Sequence, residues 1–181
     1  MKKLLLLVFG VLFIFISTNV NAQGYKKDGL ALNVGLGFGL AGIYGSSTIP
    51  PISASLGYGV TDKISVGGIV GYSGSSYKYT YFNGSYEWKY SYIIIGARGE
   101  YHFNKPTDKL DPYAGLTLGY DIVSVSSPSN LSGNIGYSAE TSYLLFGFHG
   151  GLRYALNDKL GVFGEVGYGV GYLTVGAFFR L

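Results

Sequence analysis

Hydrophobic and polar residues alternate one by one along most of this chain. The last stretch, Val170 to Leu181, is the clearest case. Leu173, Val175, Ala177, Phe179 and Leu181 are apolar, while Tyr172, Thr174, Gly176, Phe178 and Arg180 between them are mostly small, polar or charged. A period of two over this length predicts an extended strand with unlike surroundings on its two faces. Leu30 to Leu40 repeats the pattern, with Leu30, Leu32, Val34, Leu36, Phe38 and Leu40 on one face. A terminal strand leaves edge groups unpaired, which is costly wherever water is absent. Pairing the first strand with the last closes the sheet.

Six more strands follow from the same reading. The apolar face of strand two is Ile52, Ala54, Leu56, Tyr58 and Val60, and that of strand three is Ile64, Val66, Val70 and Tyr72. Strand four runs from about Tyr92 to Phe103, strand five places Ala114, Leu116, Leu118, Tyr120 and Ile122 together, and strand six does so with Leu144, Phe146, Phe148, Leu152 and Tyr154. Strand seven contributes Leu160, Val162, Val166 and Tyr168. Thr61-Asp62-Lys63, Asn104 to Asp111 and Leu156-Asn157-Asp158 read as short polar turns, and Gly169-Val170 as a two-residue turn with glycine first. Ala41 to Pro51, a hairpin between strands three and four, and Ser124 to Tyr137 make longer connections on the opposite side. Strands of about ten residues cross a bilayer when tilted, and short turns opposite long loops are the asymmetry of outer-membrane barrels. The expected fold class is all-β: a closed eight-stranded antiparallel transmembrane β-barrel of up-and-down topology.

Composition separates this from a soluble β-sandwich. Charged residues make up 13% of the chain, about half the ~25% of an ordinary soluble domain. Glycine accounts for 30 and tyrosine for 18 of the 181 residues. The second face of the strands is glycine and serine with a few charges, which suits a narrow interior rather than contact with bulk water. Tyr58, Tyr72, Tyr101, Tyr120, Tyr154 and Tyr168 stand near strand ends, as aromatic girdles do. Lys2 and Lys3 precede an apolar run from Leu4 to Ile16, and small residues follow at Val20 and Ala22. This predicts a secretory signal peptide over residues 1–22, cleaved after Ala22, and a barrel domain over 23–181. Without Lys2 and Lys3 the chain has eleven basic and ten acidic residues, so no basic patch argues for nucleic acid. There is no cysteine, hence no disulfide, thiolate metal site or acylated cysteine.

The signal sequence, eight strands, short Asp/Lys turns and final Phe179-Arg180-Leu181 resemble the small outer-membrane β-barrel family that includes OmpA-like and OmpX-like domains. The resemblance covers about residues 29–181 and lies in pattern rather than in one motif. It implies the outer membrane of a Gram-negative bacterium, with lipid and lipopolysaccharide around the barrel and the outer-membrane assembly machinery recognising the last strand. In that family the final residue is commonly phenylalanine; here Leu181 is last and Phe179 stands two before it on the same face. A monomer is expected.

Arg98, Glu100, His102, Asp121, His149, Arg153, Glu165 and Arg180 all fall on the inner face. An eight-stranded barrel is wide enough only for its own side chains or one small ligand, and lone buried ions are expensive. These groups are therefore expected to form a salt-bridge network that plugs the lumen, leaving an envelope protein that acts through its outer loops and is not an enzyme. Two alternatives stand beside this reading. One is a narrow channel for small or apolar solutes. The other is a lipid A-modifying enzyme, with His102 or His149 as base, Glu100, Asp121 or Glu165 orienting it, and a serine nucleophile. His102 sits at the periplasmic end and His149 in mid-barrel, both away from lipid A, so no catalytic residue, metal or cofactor is expected. The G-x-G-x-x-G match at Gly37 to Gly42 opens no helix and reflects glycine abundance.

The hairpin carries the strongest local signal. With Asn83-Gly84 as its turn, Tyr81 is expected opposite Tyr86, Tyr79 opposite Trp88, Tyr77 opposite Tyr90, and Lys78 opposite Lys89. The aromatic residues then form a ladder over the barrel mouth, a candidate contact for an extracellular glycan or protein.

Overall fold

The computed structural model describes residues 26–39, 46–81, 84–105, 109–127 and 137–181, with the side chains of 81, 84–86, 137 and 138 outside that description. The expected signal segment over residues 1–22 lies outside the described residues. Eight strands, β1 (Leu30–Phe38), β2 (Ser46–Gly59), β3 (Ile64–Tyr81), β4 (Gly84–His102), β5 (Leu110–Ser127), β6 (Tyr137–Ala155), β7 (Leu160–Tyr168) and β8 (Leu173–Arg180), close into one antiparallel barrel. Each strand pairs with the next, and β1 pairs with β8 from Ala31↔Arg180 to Phe38↔Leu173. The first and last strands therefore meet as the alternation predicts.

The two faces separate as sharply as the sequence does. Leu36, Phe38, Leu116, Phe146 and Phe148 point outward and are more than half exposed, whereas Asn33, Ser55, Thr117 and Thr174 point inward and are buried. This inverts a soluble protein, whose apolar side chains lie inside; a wall of this kind is stable against hydrocarbon. The short turns are held by side chains of their own. Thr61 Oγ1 accepts the N–H groups of Lys63 and Ile64 at 3.1 and 2.9 Å, and Asn157 Oδ1 accepts those of Lys159 and Leu160, both at 2.9 Å.

Several boundaries differ from the sequence reading. β2 begins at Ser46, inside the expected loop, because the ladder to β3 tolerates Pro50-Pro51 through two register shifts between Ser47 and Ile52. β5 continues to Ser127 and β6 starts at Tyr137, so both ends of Ser124 to Tyr137 belong to the ladder, and 128–136 lie outside the described residues. β8 starts at Leu173, not Val170. The β7–β8 turn is longer than two residues, with Gly167 N–H donating to the Tyr172 carbonyl at 3.0 Å. Gly169 has φ 138°, a conformation that L side chains rarely adopt. The turn also bends inward, and Val170 packs on the buried cluster of Tyr92, Ile94 and Val123. Gly71 makes room, since a Cβ there would lie 3.0 Å from Val170 Cγ1.

The β3–β4 hairpin keeps its aromatic residues on one face but shifts register by two. Tyr77 lies opposite Trp88, Tyr79 opposite Tyr86, Ser75 opposite Tyr90 and Tyr81 opposite Gly84, so Gly84 is a paired strand residue and not part of the expected Asn83-Gly84 turn. Residues 82 and 83 themselves lie outside the described residues. Electrostatics accounts for the shift: Lys78 faces Glu87 instead of Lys89, which replaces a like-charge pair with an attractive one.

Candidate functional site

The inward charges come from four neighbouring strands. β4 supplies Arg98, Glu100 and His102 on alternate residues, β5 supplies Asp111, β6 supplies His149 and Arg153, and β7 supplies Glu165. The opposite wall is small, with Asn33 and Gly35 on β1, Ser53 and Ser55 on β2, and Thr174 and Gly176 on β8. Long side chains on one half thus fill the space that short ones leave on the other. Glycine serves the same purpose within the charged half. A Cβ at Gly115 would sit 2.5 Å from His149 Nε2, and one at Gly151 would sit 2.6 Å from the Tyr113 ring.

Glu100 is the hub. One oxygen lies 3.1 Å from Arg98 Nε and 3.5 Å from His149 Nε2, and the other accepts a bond from Arg153 at 2.7 Å. Arg98 also pairs with Glu165, which accepts the Tyr113 hydroxyl at 3.0 Å. The Arg153 guanidinium stacks on Tyr113, 4.0 Å from the ring centroid. Every ion here has an opposite partner, the condition under which charges are tolerated away from water.

Two residues expected in the network stand apart from it. Asp121 lies four residues along β5 from Thr117, the rung partner of Arg98, which is about 14 Å up the strand. Arg180 reaches the rim with the short turns instead, donating to the Asp158 carbonyl at 3.1 Å and lying 5.4 Å from the Phe178 ring centroid. Their place is taken by Asp111, which the sequence reading leaves in a turn. It is the first inward residue of β5, 4% exposed, 2.8 Å from His102 Nδ1 and 3.6 Å from Arg153 Nη1. Asp111, Tyr113, Gly115 and Thr117 share one parity, so extending the alternation by one step finds it.

Ser65, Asp111 and His102 are arranged with triad-like distances. Ser65 Oγ lies 3.0 Å from His102 Nε2, and Nδ1 faces Asp111. Hydrolysis needs more than these contacts: donors for a developing oxyanion and a path for substrate. Here a carboxylate oxygen of Glu100 lies 3.4 Å from the same Oγ, and Ser65 is 2% exposed. The arrangement works as a hydrogen-bond relay that ties β3, β4 and β5 together. Glu100, His149 and Glu165 also bring ligand atoms within 4.8 Å of one another. The Arg98 guanidinium touches all three, so the cation their charge calls for is already supplied.

Above the charges the interior turns apolar, at Tyr92, Ile94, Val123, Leu145 and Val170. Higher still, the inner face of the hairpin carries the ladder, where Tyr77 and Tyr79 are about half exposed and Trp88 and Tyr90 partly buried.

No family model matches the chain, and no curated protein matches it in sequence. Solved structures do. The N-terminal β-barrel domain of Pseudomonas aeruginosa OprF superimposes with a TM-score of 0.52 at 14% identity, covering 87% of this chain and all of that one. The fold is theirs. Ail, the attachment invasion locus protein of Yersinia pestis, crystallised with the heparin analogue sucrose octasulfate, gives a TM-score of 0.51 at 12% identity over 84% of this chain and 93% of that one. At such identities the likeness concerns architecture alone, and it agrees with the OmpA-like and OmpX-like pattern of the sequence.

Proposed function

We propose that this protein is a surface-binding component of a Gram-negative outer membrane, in which a sealed barrel serves as the mount for its tall outer hairpins. The observation that carries this reading is the pairing of a filled lumen with an exposed ladder. Tyr77 and Tyr79 are 46% and 49% exposed on strands that extend beyond the apolar belt. Aromatic rings with a polar tip suit sugar rings or a partner's apolar patch. A barrel with the same fold, Ail, has been captured with a sulfated sugar, which supports contact with glycans as a use of this architecture. The surrounding outer-membrane lipid, lipopolysaccharide and assembly machinery are the remaining partners of the reading.

The channel alternative is disfavoured by the ion-paired layer and by Val170 above it. The lipid A-modifying alternative is disfavoured by the burial of Ser65, His102 and Asp111 at the periplasmic end. The test is a Tyr79→Ala/Trp88→Ala double variant assayed for attachment to host cells and immobilised glycans. It should assemble like the parent and lose attachment. Unchanged attachment to every surface that the parent binds would reduce the ladder to a stiffener.

A further inference from the structure

Five strands stand taller than the others. β3 to β6 stay paired up to Tyr81↔Gly84 and Ser127↔Tyr137, and β2 follows β3 as far as Ser46↔Ser76, whereas β7 ends at Tyr168, opposite Phe148, and β1 ends at Phe38. Above that level the lumen wall continues as an open sheet, tallest at β3 to β6.

Its two faces exchange character at the height of Tyr92. Lower down on β4, the outward residues are Ile93 and Ile95 and the inward ones Arg98 and Glu100; higher up, the outward residues are Ser91 and Lys89 and the inward ones Tyr90 and Trp88. β6 does the same, with Phe146 and Leu144 giving way outward to Ser142 and Glu140. A sheet that only had to stand in water would be polar on both sides. The inward face instead presents Tyr77, Tyr79 and Tyr143, the last 59% exposed.

The floor of this vestibule carries one carboxylate. Asp121 stands on the same rung as Ile94 and Tyr143. Its Oδ1 is buried and has no hydrogen-bond partner among the described residues. A buried acceptor left unmade is costly, so a donor arriving from above gains what the protein alone leaves out. No Lys, Arg or His stands on this face among the described residues. A polyanion therefore meets no counter-charge there. The rings form a row with rungs about 7 Å apart, which suits a chain of successive rings better than one compact cation.

We infer that the vestibule binds a neutral oligosaccharide, its terminal sugar donating a hydroxyl to Asp121 and the following sugars stacking along Tyr90, Trp88 and Tyr79. This rests on the surface-binding reading and narrows it to one ligand class and one face. A globular partner reaches the hairpin tip but not Asp121; a slender glycan reaches both.

Trp88 is the only tryptophan of the chain, so its fluorescence reports on the vestibule directly. The detergent-refolded barrel is titrated with chitohexaose, maltohexaose and a high-mannose oligosaccharide, with a heparin hexasaccharide and spermidine as the anionic and cationic arms. At least one neutral probe should change the emission saturably, and Asp121→Ala should weaken it tenfold or more while keeping the parent's heat-modifiable gel shift. No response to any of the three neutral probes, an equal response in Asp121→Ala, or a response to heparin or spermidine alone overturns the inference. If Tyr79→Ala/Trp88→Ala still abolishes cell attachment when the neutral probes fail, the surface-binding reading survives and only the ligand class falls.

Discussion

Asp111 and His102 meet at 2.8 Å across the turn that joins β4 to β5. Both are nearly inaccessible, at 4% and 1% exposure. The pair fixes the start of β5 against the end of β4 and anchors the lower edge of the charged layer.

Removing either partner takes the shortest contact from the other, leaving Asp111 with Arg153 at 3.6 Å and His102 with Ser65 at 3.0 Å. Asp111→Ala should destabilise the folded barrel by about 3–5 kcal/mol, read as a lower urea midpoint in detergent micelles. Asp111→Asn, which keeps a hydrogen-bond acceptor, should lose less. Equal midpoints for parent and Asp111→Ala would remove the pair from the structural account.

The layer around Glu100 should block ions. Planar bilayers holding the parent are expected to show no stable conductance. Arg153→Ala should unfold more readily, because it deprives Glu100 of its 2.7 Å partner. A large steady current from the unmodified protein would favour the channel.

Triad-like distances invite a direct chemical check. Incubation with lipid A and phospholipid should give no turnover with the parent, Ser65→Ala, His102→Ala or His149→Ala. A small fluorophosphonate should leave Ser65 unmodified in the folded protein. Labelling that disappears in Ser65→Ala would mean that the relay is an active nucleophile.

The hairpin register is open to cross-linking. Cysteines at Tyr77 and Trp88, which are direct rung partners, should form a disulfide on mild oxidation. Cysteines at 77 and 90 should not, since that pair is displaced by two residues. The reverse result would restore the register in which Lys78 faces Lys89.

Gly115 gives a packing test. A methyl there would meet the Gly99 carbonyl at 2.4 Å and the His149 ring at 2.5 Å. Gly115→Ala should lower the urea midpoint, whereas Gly99→Ala, where a Cβ meets nothing within 4 Å, should be close to neutral.

The barrel was legible in the sequence because alternation is a local signal and closure follows from it. Within the eight strands, inward and outward residues lie on the expected faces at the described positions. The strand ends were less legible. Ser124 to Tyr137 looks like a loop by composition, yet serines at the top of β5 and β6 are what an outward face needs once it leaves the lipid. Asp111 reads as a turn residue because Asp and Pro106 suggest one, although its parity matches Tyr113 and Thr117. Asp121 and Arg180 were given the right face but not the right height, since parity fixes direction and says nothing about which charges share a layer. The inward fold of Val170 had no local signal at all; only the small Gly71, far away in sequence, makes room for it.

The short strands have a consequence in time as well as in space. β7 and β8 share rungs only from Leu160↔Phe179 to Val166↔Leu173, while β3 and β4 are paired without a break from Ile64↔Tyr101 to Tyr81↔Gly84. Hairpins with adjacent strands form early because their loop entropy is small, and the β1–β8 seam joins the ends of the chain and comes last. The tall β3–β6 sheet is thus the natural template during insertion. The seam should exchange its amide hydrogens first when the folded protein is placed in deuterated water, with the middle rungs of β3 and β4 the last to follow.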